Sequence, residues 1–305
     1  MKRLQVLASL LTLLTLTNCS VDANSEDITV QSNIVNPLKG RPNDTSRGKP
    51  GSGGEEPQPT GPWNLVFEDD FNTDLSAWNI WEGGAFNEEI QLYTGSQVRV
   101  SGGILNIAVK RQNVSGATSI YDATPKNFEY LSGRIESKAL YGPSSTDGER
   151  QYRFEARIQL PSGNGMWPAF WTYGDPWPTQ GEIDILEARG NEPFAYQSNI
   201  FYGPRANRSV TRTTEVHYTV GADLTADYHV YAMVWASNFI EIYLDDQLMH
   251  TYVANRDNQV ANLFGKKEKI VLNTAVGGLF FQDRNSANYA NEALMEVDWL
   301  RVYKR

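Results

Sequence analysis

From Trp63 onward the chain repeats apolar residues at every second position in short runs, and no long run follows the helical period. A period of two puts neighbouring side chains on opposite faces of a strand. Leu105, Ile107 and Val109 share one face. Phe154, Ala156, Ile158 and Leu160 share another, with Arg153, Glu155, Arg157 and Gln159 on its reverse. Ile240, Ile242 and Leu244 repeat the pattern before a turn at Asp245-Asp246-Gln247, and residues 294–303 carry it to the end of the chain. Many short strands separated by Gly, Pro, Asn and Asp, with no internal repeat, predict an all-β fold. The expected form is an antiparallel β-sandwich. A sandwich this large needs long curved sheets, and the concave face of a curved sheet can hold an extended polymer.

The chain has 305 residues, 40% of them hydrophobic, which is ample for a core. Twenty-seven basic against 36 acidic residues give a net charge of −9, which argues against a nucleic-acid partner. The single cysteine, Cys19, excludes an internal disulfide framework and a multi-cysteine zinc site. Eight Trp, 15 Tyr and 12 Phe suit sugar rings as well as a core. The three histidines, His217, His229 and His250, are scattered, and His229 reads as structural.

Residues 1–18 read as a signal peptide. A short basic start, Met1-Lys2-Arg3, precedes 13 mainly apolar residues, too few to span a bilayer. Cys19 follows directly, as in a bacterial lipoprotein signal, where that cysteine becomes the lipidated first residue. Asn18 departs from the usual small residue before it; the alternative is an ordinary secretory signal. Ser20 in place of Asp favours the outer membrane by the same resemblance. Residues 19–61, dense in Pro, Gly, Ser and charge, read as a flexible tether. The domain is expected over 62–305. The localisation that follows is export across the inner membrane. A lipid anchor would then hold the chain at the bacterial outer membrane or cell surface; without one it would be periplasmic or extracellular. The lipid would be its sole membrane contact.

The most informative segment is Gly181-Glu182-Ile183-Asp184-Ile185-Leu186-Glu187, three carboxylates on an otherwise apolar strand. Glu182 and Asp184 share a face. Glu187 is five residues from Glu182 and would point away in a regular strand. One β-bulge, its extra residue at Ile185 or Leu186, would bring all three together. Carboxyls so close raise one another's pKa. One protonated and one ionised acid is what glycoside cleavage requires. A solvated strand face and a divalent-ion site are the other readings. The flanking Met166-Trp167-Pro168-Ala169-Phe170-Trp171 and Gly190-Asn191-Glu192-Pro193 suit a solvated face poorly.

With these residues in view, the chain resembles glycoside hydrolase family 16, in particular its laminarinase-like endo-β-1,3-glucanases. The resemblance runs over residues 63–304: WNLVFEDDF at 63–71, NEEIQLYT at 87–94, SGRI at 132–135, RFEAR at 153–157 followed by GNGMWPAFW at 163–171, the bulged E-x-D-x-x-E of 182–187, and DWLRVY at 298–303. It implies a β-jelly roll with an open substrate cleft and a retaining mechanism. Glu182 would be nucleophile, Glu187 general acid and base, and Asp184 the residue tuning both. Asn87, Arg134, Trp167 and Trp171 would bind substrate, although Trp171 could face the core and Arg134 could be an ordinary surface partner. Catalysis would need no cofactor. A structural calcium ion is implied at Asp70, the Gly103 carbonyl and Asp298, with Glu68 as an alternative ligand.

The expected substrate is a β-1,3-glucan of laminarin type, taken by a monomer. The strand at 196–201 departs from the family's histidine-bearing run, which leaves a marine galactan such as agarose or porphyran, or a mixed-linkage β-1,3/1,4-glucan, as alternatives. The segment 140–151 reads as a long loop able to reshape one end of the cleft. A non-catalytic glucan-binding lectin is a further reading, disfavoured because both glutamates are present.

Overall fold

A computed structural model of the chain describes residues 26–29, 61–145, 150–208, 212–255 and 260–305. The signal peptide and Cys19 lie outside the described residues, as does the tether except for residues 26–29 and 61. Residues 146–149 of the long loop also lie outside them. The described residues form two sheets, of nine and ten strands, packed as a β-sandwich with one single-turn helix, Val260–Leu263.

Period two explains the elements. Tyr152–Gln159 buries Tyr152, Phe154, Ala156 and Ile158 against the opposing sheet. Its reverse carries Arg153, which donates to Glu155 at 2.8 Å, and Arg157, which donates to Asp298 at 2.6 Å. This strand lies between His229–Trp235 and Glu292–Lys304 in the ten-stranded sheet. The turn at Asp245 and Asp246 has positive φ at both residues (48° and 62°), a conformation aspartate tolerates and a tight hairpin needs. His229 pairs with Asp245 at 2.7 Å, the structural role expected of it.

The nine-stranded sheet carries the site. Across it run Ala195–Tyr202, Glu182–Glu187, Met166–Tyr173, Lys269–Val276, Arg134–Ser137 and Trp78–Ile80, each hydrogen-bonded to the next. Beyond Ala195–Tyr202 lies Val216–Thr219, along which Glu26–Thr29 pairs in parallel. Met166–Tyr173 sits near the middle and serves both faces. Met166, Phe170 and Thr172 are fully buried, whereas Trp167, Ala169, Trp171 and Tyr173 line a groove of about 1250 Å³ on the other side. The core between the sheets collects Phe170, Ile183, Ile185, Leu186 and Leu272 from one and Phe154, Ile158, Met233, Val297 and Leu300 from the other.

This two-faced strand gives a direct test of parity. Phe170→Ala removes a side chain with no solvent exposure and is expected to destabilise the fold by about 3–5 kcal/mol. Trp171→Ala, one residue on but facing the groove, should cost clearly less. Urea unfolding midpoints of the two variants check this; equal losses would mean that both rings pack in the core.

Candidate active site

The bulge lies where the acids need it. Against Met166–Tyr173, Glu182 is opposite Tyr173, Asp184 opposite Trp171, Leu186 opposite Phe170 and Glu187 opposite Ala169. Ile185 has no partner there, and the register toward Ala195–Tyr202 also shifts between Asp184 and Glu187. Ile183, Ile185 and Leu186 all go to the core, and the three carboxyls all face the groove. The apolar residues drive this: each is fully buried, and a regular strand would have to expose one of them.

Each glutamate is held by an indole. Trp177 Nε1 donates to Glu182 Oε2 at 2.6 Å, and Trp167 Nε1 to Glu187 Oε1 at 3.0 Å. Gln197 adds a longer bond to Glu187 Oε2 at 3.4 Å. Trp167 is itself fixed by Phe280, stacked at 4.2 Å and 9°, and Arg189 lies over the Phe280 ring at 3.9 Å while donating to its carbonyl. Asp184, between the glutamates, leaves Oδ2 buried without a partner among the described residues. A carboxylate oxygen in that state is tolerable only if the group is neutral or shares a neighbour's proton.

Burial is the main force raising all three acids above the usual carboxylate range. The Glu187 charge comes next for Glu182 and Asp184. The indole hydrogen bonds pull the glutamates back toward ionisation. Glu268 is a fully buried acid close behind this cluster. It is raised to about 8 by burial despite the 2.5 Å bond from Thr172 Oγ1. Such a cluster holds fewer negative charges than carboxyls and can both give and take a proton near neutrality.

All four residues expected to meet substrate line the groove. Asn87 sits exposed at its rim with φ +56°. Trp171 faces the groove and donates to Asn273 Oδ1 at 2.8 Å. Arg134 is only 5% exposed: it grips Glu136 at 2.6 Å and lies under Trp81 and Trp171, 4.0 and 4.8 Å from their ring centres. It therefore supports the aromatic floor. Ala169 and Ala275, small residues among these rings, keep the floor low beside Glu187 and Trp167.

Two of the three positions expected at calcium, Asp298 and Asp70, make side-chain contacts within the protein. Asp298 gives its carboxylate to Arg157 at 2.6 Å, and Asp70 Oδ2 accepts from Asn72 at 2.6 Å. Asn72 Oδ1 fills the space beside Gly103, and among the described residues no group of three acidic, His or Cys side chains could hold an ion.

Sequence reasoning did not single out Trp177, Gln197, Asn273 or Phe280. Gln197 had a signal, as the first of three consecutive polar residues, Gln197-Ser198-Asn199, inside a strand with apolar and aromatic ends. Asn273 had a similar one, in a run that is otherwise almost wholly apolar. Trp177, flanked by two prolines five residues before Glu182, had a weaker signal. Phe280 had none, because a loop distant in sequence delivers it.

The comparisons with known proteins agree with this geometry. A model of glycosyl hydrolases family 16 matches residues 87–301. A glucan endo-1,3-beta-glucosidase of Cryptopygus antarcticus is 35% identical, covering 72% of this chain and 83% of its own length. Glucan endo-1,3-beta-glucosidase A1 of Niallia circulans is 32% identical over 79% of this chain, which spans only 38% of that protein. The structure of an endo-beta-1,3-glucanase from Pyrococcus furiosus superposes with a TM-score of 0.65 at 28% identity, over 79% of this chain and 94% of that one. With three acids aligned by a bulge on the floor of a jelly-roll groove, the chain belongs to glycosyl hydrolase family 16 and is a glycoside hydrolase.

Proposed function

We propose that the chain is a retaining endo-hydrolase of β-1,3-glucans, with Glu182 as nucleophile and Glu187 as general acid and base. The observation that carries this reading is the single-residue bulge at Ile185, which sets both glutamates beside Asp184 on one groove floor, each under an indole donor. An open groove admits the middle of a polymer, which favours internal cleavage. The glucan preference is supported by the named activities of the Cryptopygus and Pyrococcus relatives.

In the first step the ionised Glu182 oxygen attacks the anomeric carbon while the bond to the leaving sugar oxygen breaks. Glu187 gives its proton to that oxygen, and a glycosyl ester remains on Glu182. In the second, Glu187, now ionised, takes a proton from water; the water oxygen attacks the same carbon and frees Glu182. Two inversions return the original configuration. Asp184 can pass hydrogen-bonding stabilisation to whichever glutamate is charged. The Trp177 bond lies on Glu182, where it stabilises the carboxylate before attack.

Glu182→Gln should lower reducing-end release from laminarin by at least about three orders of magnitude while leaving binding in place. Reducing-sugar assays on laminarin, curdlan, mixed-linkage glucan, agarose and porphyran, with NMR of the first-formed anomer, check both substrate and outcome. Release confined to a galactan would overturn the glucan assignment and keep the mechanism. An inverted product would overturn the role of Glu182. Binding without release from any polymer would favour a lectin.

The raised acids also predict how stability changes with pH. Their folded pKa lies above the unfolded value, 4.5 for the glutamates and 3.8 for Asp184, so the folded state keeps protons that the unfolded chain has already released. Stability is then greatest in mild acid and falls as pH rises from about 5 toward about 8. Asp184→Asn removes one such group and should flatten the decline, giving a higher melting temperature than wild type at the alkaline end. Melting curves across that range check it. The Glu187 titration places the alkaline limb of activity near 7, where the proton donor is lost.

The export reading rests on the apolar stretch at 4–16 and on Cys19 after it. In a bacterial host, radiolabelled fatty acid should enter the full chain and fail to enter Cys19→Ala. Equal labelling, or none in either, would remove the lipid anchor.

A further inference from the structure

One part of the groove is left unused by this chemistry. Beyond Arg134, at the end of the nine-stranded sheet, the wall is made by Trp81, Phe86 and Tyr121. Trp81 is buried, but Phe86 is 52% and Tyr121 68% exposed. Both pack edge-on to Trp81, at centroid distances of 6.4 and 6.0 Å. Isolated exposed aromatics are ordinary; three in one cluster facing a groove form an apolar surface that water wets poorly.

Tyr121 comes from a different sheet. It forms the tip of a long hairpin of the ten-stranded sheet, between Ile104–Ser119 and Asp122–Ser132. The hairpin is clamped to the groove wall. Gly84 N–H donates to the Ala117 carbonyl at 2.9 Å, and Trp81 Nε1 donates to the Gly84 carbonyl at 3.0 Å. A side chain at Gly84 could not fit: its Cβ would lie 2.5 Å from the Thr118 oxygen and 2.6 Å from the Phe128 ring. At the tip, Ser119 Oγ accepts from the Tyr121 N–H at 3.1 Å. An exposed ring on an anchored tip loses little freedom when a ligand covers it.

Stepping across the sheet from Glu182–Glu187 to Arg134–Ser137 and Trp78–Ile80 takes three to four strand spacings, or roughly 15–19 Å. That is several sugar units from the acids along a chain lying across the strands. Trp171 and Tyr173, stacked at 5.2 Å, line the groove between the two places. We propose that Tyr121, with Phe86 and Trp81 behind it, forms a distal sugar-binding subsite that makes this enzyme prefer long chains over short ones. The aromatic faces would take the apolar face of a pyranose ring. Asp175, which lines the same groove and pairs with Lys269 at 2.9 Å, would meet ring hydroxyls. The proposal rests on the glycan-hydrolase reading and adds to it a chain-length preference with a named residue.

The test compares kcat/KM for laminarin with that for a laminari-trisaccharide in wild type, Tyr121→Ala and Tyr121→Phe. Loss of one aromatic contact should lower the long-to-short ratio in Tyr121→Ala roughly three- to tenfold, through KM rather than kcat. Tyr121→Phe, which keeps the ring, should stay near the wild-type ratio. An unchanged ratio in Tyr121→Ala would overturn the proposal, as would equal losses in both variants or a change confined to kcat. If wild type cleaves a galactan and not a glucan, the substrate reading fails by itself. The same ratio on long and short galactan fragments then decides the subsite.

Discussion

Three carboxyl groups set side by side on one strand, Asp184 buried and the two glutamates half-buried, cannot all be charged, and the site is organised around that constraint. Burial and mutual repulsion push Glu182, Asp184 and Glu187 upward together. The protein answers with neutral donors: an indole on each glutamate and an amide on Glu187. Neutral donors stabilise a carboxylate less than an arginine would. They leave the acids near the point where one proton is shared, which is the condition acid–base exchange requires. The nearby cations are engaged elsewhere: Arg134 is paired with Glu136, and Arg189 with the Phe280 carbonyl and ring.

The geometry of that cluster follows from packing. Ile183, Ile185 and Leu186 each lose all exposure, and the strand gains an extra core residue by bulging between Asp184 and Glu187. The hydrophobic demand of the core and the alignment of the acids are thus met by one local irregularity. Met166–Tyr173 performs the same division on the next strand, with Phe170 in the core and Trp167 and Trp171 in the groove. The aromatic groove face is held from below by the Arg134–Glu136 pair and from the side by Phe280.

Much of this was legible in the residues. Period two located the principal strands, with the expected run at 153–160 appearing as Tyr152–Gln159 and that at 294–303 as Glu292–Lys304. The parity of 182, 184 and 187 called for a bulge at Ile185 or Leu186, and it lies at Ile185. Trp171 could have faced either side; the fold turns it to the groove and Phe170 to the core. Arg134 also lines the groove, buried under two rings. Asp298 lies within reach of Arg157 on a neighbouring strand, a pairing that strand register decides and local sequence does not mark.

The sequence by itself determined the strand-rich class, the face of each carboxyl and the identity of the acids, because those depend on alternation and residue type along a single strand. Tertiary structure alone decided what surrounds the acids. Trp177 comes from a loop, Gln197 from the adjoining strand, and Phe280 from a segment nearly a hundred residues away. Tyr121 reaches the groove from the opposite sheet. Contacts of that kind depend on which strands pair and where loops close. These are long-range choices set by the packing of the whole core, and no short stretch of residues encodes them.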